Sequence, residues 1–198
     1  AVALYQAKLE ITRMARIAYR NLQTAVDCFF KSDDKEAEHV EETELSVNYL
    51  THAITQRLVK IRTLNMTGHE RNRISQMTLV VADIERISDH AENIVEYENQ
   101  VKSKNSKLSD EALEELRSLA TLSLKTIAFC IDIFEHETFE KLPEAEQFEQ
   151  SVDDLEKKIV NNHIQRLLNQ ACNPLAGVVF TNMSSDLERC SDHAINIA

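Results

Sequence analysis

The chain has 198 residues, only two glycines, two prolines and no tryptophan, and a formal net charge of −11. So few helix-breaking residues over this length favour long helices joined by short turns. The acidic charge argues against nucleic acid and anionic membrane surfaces as direct partners. The four cysteines contain no CxxC pair, which is typical of reduced thiols in a cytoplasmic protein.

Apolar residues recur at helical spacing through the first hundred positions and predict three helices there. The first helix ends near Lys31, and a capping box at residues 33–36 (Asp-x-x-Glu) opens the second. The second helix ends near Asn65. A further capping box at residues 67–70 (Thr-x-x-Glu) opens the third helix, which is predicted to end near Gln100.

The second half repeats this plan after a polar linker at residues 102–107. Ser109 caps a fourth helix that ends near Glu137. Pro143 and Pro174 are placed in the first turns of a fifth and a sixth helix, where a missing N–H is harmless. No apolar run approaches the roughly 20 residues of a membrane span.

A string of twelve residues occurs twice, at positions 83–94 and 186–197, with nine identities between the copies. A shift of about the same length also overlays the first helix on the fourth. We therefore predict an all-α fold built by tandem duplication of a three-helix bundle, with six long helices and repeats at residues 1–101 and 107–198.

The repeated string places carboxylates at i and i+4, on one face of the third helix and again of the sixth. The second and fifth helices offer further oxygen donors at helical spacing. Like charges placed this closely repel one another unless a cation or an arginine lies among them. The predicted metal ligands are Glu44, Glu85 and Asp89 in the first half and Glu149, Asp153, Glu188 and Asp192 in the second. The neighbouring donors are Glu41, Asn48, Asn93, Glu146 and Asn196.

Other residues of the repeated string are predicted to be peripheral. Asp83 and Asp186 precede the glutamates by two positions and are expected to face solvent. His90 and His193 point about 100° away from the neighbouring aspartates, so we expect them to support the ligands or to bind metal at the edge of the site. A solvated acidic face remains an alternative to metal binding. So does a structural ion network, whose cations would be Arg86 and Arg189.

The string Asp-Ile/Leu-Glu-Arg-x-x-Asp-x-Ala-x-Asn-Ile, at the end of each half, resembles the signature of the PhoU family. The upstream pattern Glu-x-x-Val-Asn/Asp-x-Leu is similar as well. The resemblance implies two tandem three-helix bundles with E/DxxxD motifs that bind multinuclear iron, or in some cases zinc or nickel, and act in phosphate uptake and signalling. Asn48 stands where the second half has Asp153, so the first site is expected to bind metal more weakly.

Within that family, the Asp-His of both motifs and the run from His163 to Pro174 resemble the cytoplasmic C-terminal domain of bacterial sodium/phosphate cotransporters. We therefore expect a fragment of a longer protein: a metal-binding regulatory domain, cytoplasmic and tethered to the inner membrane through a preceding transport domain. Iron is the expected metal, with zinc, nickel or magnesium as alternatives. The expected partner is a phosphate transporter, in cis or in trans, or a signalling protein, and a homodimer is a further option.

Three alternatives stay open. The first is a free-standing regulator of PhoU type. The second is a carboxylate-bridged di-iron enzyme, which needs Glu-x-x-His on two helices; only residues 36–39 offer this pattern in the duplicated helical pairs. The third is an acidic bundle that docks a basic partner without metal, in which case binding weakens with salt.

Overall fold

The computed structural model describes residues 2–169 and 173–198. Within these ranges the structure is helical and contains no β-strand, which confirms the predicted fold class. The helices are α1 (Val2–Lys31), α2 (Asp34–Arg62), α3 (Gly68–Ser103), α4 (Asp110–His136), α5 (Leu142–Leu168) and α6 (Pro174–Ile197), with a 3-10 turn (Phe139–Lys141) before α5.

Local chemistry sets where the helices begin. The Asp33 side chain accepts hydrogen bonds from the first-turn backbone N–H groups of α2. Thr67 and Glu70 form the reciprocal capping box at the start of α3. Ser109 and Asn173 cap α4 and α6 through their side-chain oxygens. Each cap satisfies N–H groups that the helix itself leaves without a partner.

The linker is shorter than predicted, because α3 continues through Ser103. No helix-breaking residue stands at positions 101–103, and the Lys102 ammonium donates to Asp34 at 2.6 Å. The chain turns only at Asn105, whose φ of 48° is the left-handed conformation that asparagine tolerates. Ser32 and Glu137, 105 residues apart, both adopt this conformation after the first helix of their repeat.

Each repeat is a three-helix bundle, and the two bundles pack side by side. In the first repeat α1 packs on α2 and α3, and in the second α4 packs on α5 and α6. Between the repeats, α3 lies against α6 and α1 lies against α4. The cores are filled by fully buried aliphatic side chains such as Ile11, Leu22, Ile84 and Leu119. This arrangement gives each repeat a groove between its second and third helices.

Three cysteines, Cys28, Cys130 and Cys190, are buried free thiols. Burial raises the pKa of Cys28 to about 11, which makes its thiolate scarce at neutral pH. Cys172 lies outside the described residues. Among the helices described, none has an apolar stretch of the length and purity that a bilayer crossing requires.

Candidate metal centre

Four carboxylates converge in the groove between α5 and α6. Glu149 and Asp153 come from α5, Glu188 and Asp192 from α6, and one oxygen of each lies within 4.8 Å of the others. The i, i+4 spacing on both helices stacks each pair on one face. Val152, which precedes Asp153, is fully buried, so this side of α5 lies towards the interior of the bundle. We call these four residues the acid cluster.

The acid cluster holds protons that isolated glutamates would release. Burial, followed by hydrogen bonding to Asp192 and Asp153, raises the pKa of both Glu149 and Glu188 from the usual 4.5 to about 8. Protons therefore offset the mutual repulsion of the four groups near neutral pH. A bound cation would take over this role and release protons as it binds.

The donor set of the acid cluster fits a metal ion. The Oδ1 atom of Asp153 is shielded from solvent and has no hydrogen-bond partner in residues 2–169 and 173–198. A buried polar atom without a partner is uncommon in folded proteins and requires an explanation. Carboxylate oxygens alone, with no thiolate or imidazole, suit hard or borderline cations such as Mg²⁺, Mn²⁺ and Fe²⁺ better than Zn²⁺.

The equivalent groove of the first repeat is arranged differently. Glu44 is buried and accepts a hydrogen bond from the Ser88 hydroxyl. Burial, with further contributions from Asp89, raises the pKa of Glu44 to about 7. Glu85 is half-buried and Asp89 is exposed. Asp89 lies within hydrogen-bonding reach of Glu44. Within the part of the chain that the structure describes, however, the three acids do not form a group whose ligand atoms all lie within 4.8 Å of one another.

One substitution and one difference in hydrogen bonding between the repeats account for this. Asn48 is exposed and offers no charge where Asp153 does. Ser88 engages Glu44, whereas the Oγ of its counterpart Ser191 is buried without a partner among the described atoms. Glu149 is therefore free to join the acid cluster. The predicted neighbouring donors are all exposed: Glu41, Asn48, Asn93, Glu146 and Asn196.

The prediction that Asp83 and Asp186 face solvent is wrong. Asp83 is 8% exposed and Asp186 is 5% exposed, because both lie where α3 packs against α6. Asp186 Oδ1 accepts from His90 Nδ1 at 2.6 Å, and Asp83 Oδ1 lies 3.0 Å from His193 Nδ1. Tyr97 also donates its hydroxyl hydrogen to Asp186. The repeated Asp-His residues thus bind one another across the interface between the repeats.

These cross-repeat contacts form a nearly symmetric unit, which we call the Asp–His seam. The imidazole rings of His90 and His193 stack with centroids 5.8 Å apart. The spacing of Asp83 and His90, i and i+7, places both on the face of α3 that meets α6. The histidines are therefore engaged by aspartates of the opposite repeat. Asn93 joins the seam through a 3.5 Å contact to Asp186.

A second group of potential metal ligands, two acids and a histidine on α4, is already paired with a cation. Asp132, Glu135 and His136 have potential ligand atoms close together. Arg16 of α1 lies 3.9 Å from Asp132 and hydrogen-bonds Glu135. This group therefore forms a surface ion network between the repeats.

The family model described as PhoU domain matches residues 11–97 and 116–198, which is one match per repeat. The chain belongs to the PhoU family. Solved structures agree on the fold. PhoU from Pseudomonas aeruginosa superposes with a TM-score of 0.92 at 20% identity, covering 99% of this chain and 93% of that one. The phosphate transport system regulatory protein PhoU from Streptococcus pneumoniae gives 0.88 at 19% identity, with coverages of 99% and 91%.

Curated PhoU relatives match along nearly the whole chain. The phosphate-specific transport system accessory protein PhoU homolog of Xylella fastidiosa is 23% identical over 189 residues, covering 96% of this chain and 78% of the relative. The corresponding homolog 1 of Thermotoga maritima is 24% identical over 191 residues, covering 96% and 82%. These alignments with PhoU relatives extend over both repeats, and they therefore include the residues of both grooves.

Proposed function

We propose that this PhoU-family chain is an accessory regulator of phosphate-specific transport and not an enzyme. The relatives described above are named as accessory proteins of that transport system, and the likeness extends over 96% of the chain. Their names favour the first alternative from the sequence, a free-standing PhoU-type regulator acting on a transporter in trans, over the cotransporter domain.

In this proposal, the ligand that controls regulation is a metal ion bound in the acid cluster. The observation that carries the proposal is the convergence of two carboxylates from α5 and two from α6 within 4.8 Å. The raised pKa values of Glu149 and Glu188 support it. They reflect the destabilisation of the ionised carboxylates when these groups are buried beside one another without a cation. Iron is the metal we favour, with magnesium, zinc and nickel as the alternatives.

The first repeat would bind metal more weakly than the second. Its set has three acids, Glu44, Glu85 and Asp89, with Asn48 in the fourth position. The hydrogen bond from Ser88 holds Glu44 within the groove, so a cation there would have to displace the hydroxyl or share the carboxylate with it. Occupation of the second site alone is the expected state at limiting metal.

Metal binding would act by changing how firmly α5 and α6 are held together. An ion that bridges carboxylates of two helices stabilises the conformation in which those carboxylates meet. A regulator needs no turnover; its ligand must only favour one conformation that the partner recognises better. A component of the phosphate transport system on the cytoplasmic side is the partner we propose.

The test is phosphate uptake in a bacterial strain from which its own PhoU protein has been removed. The wild-type chain should restore regulated uptake, and Asp192→Asn should restore it poorly because the acid cluster loses a charged ligand. Asp154→Asn, an exposed residue of α5, is the matched control and should behave as wild type. Equal restoration of regulated uptake by the wild type and the Asp192 variant would refute the proposed role of the acid cluster in regulation. No restoration by any form would refute the accessory role itself.

A further inference from the structure

A cavity of about 370 Å³ lies where the two repeats join, far along the sequence from the acid cluster. It is bounded by the C-terminal ends of α1 and α3, the connecting segment 104–109 and the first turns of α4. Its volume is within the range of small-molecule sites. The apolar part of its lining consists of Phe29, Phe30, Val101, Leu108 and Leu113.

Glu98 lines this apolar cavity and is only 4% exposed. Both of its carboxylate oxygens are shielded from solvent, and neither has a hydrogen-bond partner among residues 2–169 and 173–198. Burying a carboxylate without a hydrogen-bond donor costs free energy, because the group loses its hydration and no protein contact replaces it. Such a group requires a cation or a hydrogen-bond donor.

Neither of the two lysines that line the cavity forms an ion pair with Glu98. Lys102 lies one turn beyond Glu98 on α3, but its ammonium donates to Asp34 at 2.6 Å on the outer surface. Lys107 lies at the rim and is exposed. Among the described residues, no cation pairs directly with the Glu98 carboxylate, and the charge of Lys102 acts on it only from a distance.

We propose that this cavity binds a small organic cation, a protonated amine on a short apolar body. The ammonium group would donate to the Glu98 carboxylate, whose shielded oxygens would reach the ligand through a change of side-chain rotamer. The apolar body would lie against Leu108 and Leu113, and the Phe29 ring would add attraction for the charge. The Phe30 ring already has the Arg117 guanidinium over it, 4.5 Å from the ring centroid, so Phe30 would contribute apolar contact. This inference is independent of phosphate regulation and of the metal site.

The test compares two probes of the same shape, phenethylammonium chloride and the neutral 2-phenylethanol, by isothermal titration and by shifts of the Phe29 and Phe30 ring signals in NMR. A hydrogen bond to a charged group should make the amine bind about tenfold to hundredfold more tightly than the alcohol. The Glu98→Gln variant keeps the shape and removes the charge, so it should bind both probes equally weakly.

Glu96→Gln is the matched control, since Glu96 is exposed on the same helix and does not line the cavity. It should keep the wild-type preference for the amine. Thermal unfolding of each variant confirms that it is folded. Equal binding of amine and alcohol by the wild type, no binding of either at millimolar concentration, or an amine preference that survives in Glu98→Gln would each overturn the proposal.

Discussion

The acid cluster should make the metal-free protein less stable as the pH rises. In the folded chain the pKa of Glu149 and of Glu188 is about 8, against an ordinary value of 4.5. Between these values the folded state keeps protons that the unfolded state has released. The stability from these protons is therefore complete below pH 4.5 and is lost as the pH rises through about 8.

The size of the effect follows from the pKa difference. A rise from 4.5 to about 8 corresponds to at most ~5 kcal/mol for one group. Both glutamates are partly exposed and solvent screens their charges, so we expect a total loss of about 2–3 kcal/mol between pH 5 and pH 9. Urea unfolding at a series of pH values, with a chelator present, measures this loss.

A double variant tests the assignment to these two residues. Glu149→Gln with Glu188→Gln removes the titrating groups and should reduce the loss of stability to less than half. Glu146→Gln, an exposed glutamate of the same helix, is the control and should follow the wild type. A double variant with the wild-type pH dependence would refute this explanation.

Three further results are expected. Asn48→Asp should raise the metal affinity of the first repeat, measured by titration calorimetry, because it supplies the missing fourth carboxylate; unchanged affinity would contradict the comparison of the two grooves. Asp83→Asn and Asp186→Asn should each lower the free energy of unfolding by about 1–3 kcal/mol in urea, since each weakens a buried contact to a histidine of the other repeat; a loss below 0.5 kcal/mol would argue against the Asp–His seam as a source of stability. Ser88→Ala should cost about 1 kcal/mol or more because it leaves Glu44 without its donor, whereas Ser191→Ala should be neutral or stabilising; equal losses in urea would remove the proposed difference between the repeats.

Much of the fold follows from local sequence. The caps at Thr67 and Asn173 fix the starts of α3 and α6 because their side chains bond the first N–H groups, whatever packs nearby. The end of α3 is less predictable. It depends on Asn105, which adopts a left-handed conformation that its sequence neighbours permit but do not require.

The second groove could be anticipated, because α5 and α6 are consecutive and both carry acids on one face. The Asp–His seam could not, since it depends on which face of α3 meets α6. Charged residues are usually exposed, but Asp83 is buried where α3 meets α6, in contact with His193 of the other repeat. The burial of Glu98 could not be predicted from the sequence. Glu98 lies outside the repeated string, and the apolar residues around its cavity come from four separate segments of the chain.

The most direct test of the metal proposal is a crystal structure of the protein loaded anaerobically with Fe²⁺ or Mn²⁺, with anomalous diffraction data collected at the metal edge. The account predicts an anomalous peak between α5 and α6 with oxygen ligands from Glu149, Asp153, Glu188 and Asp192, and a weaker peak or none beside Glu44. A loaded crystal with no peak in the acid cluster, or with its strongest peak elsewhere, would contradict it.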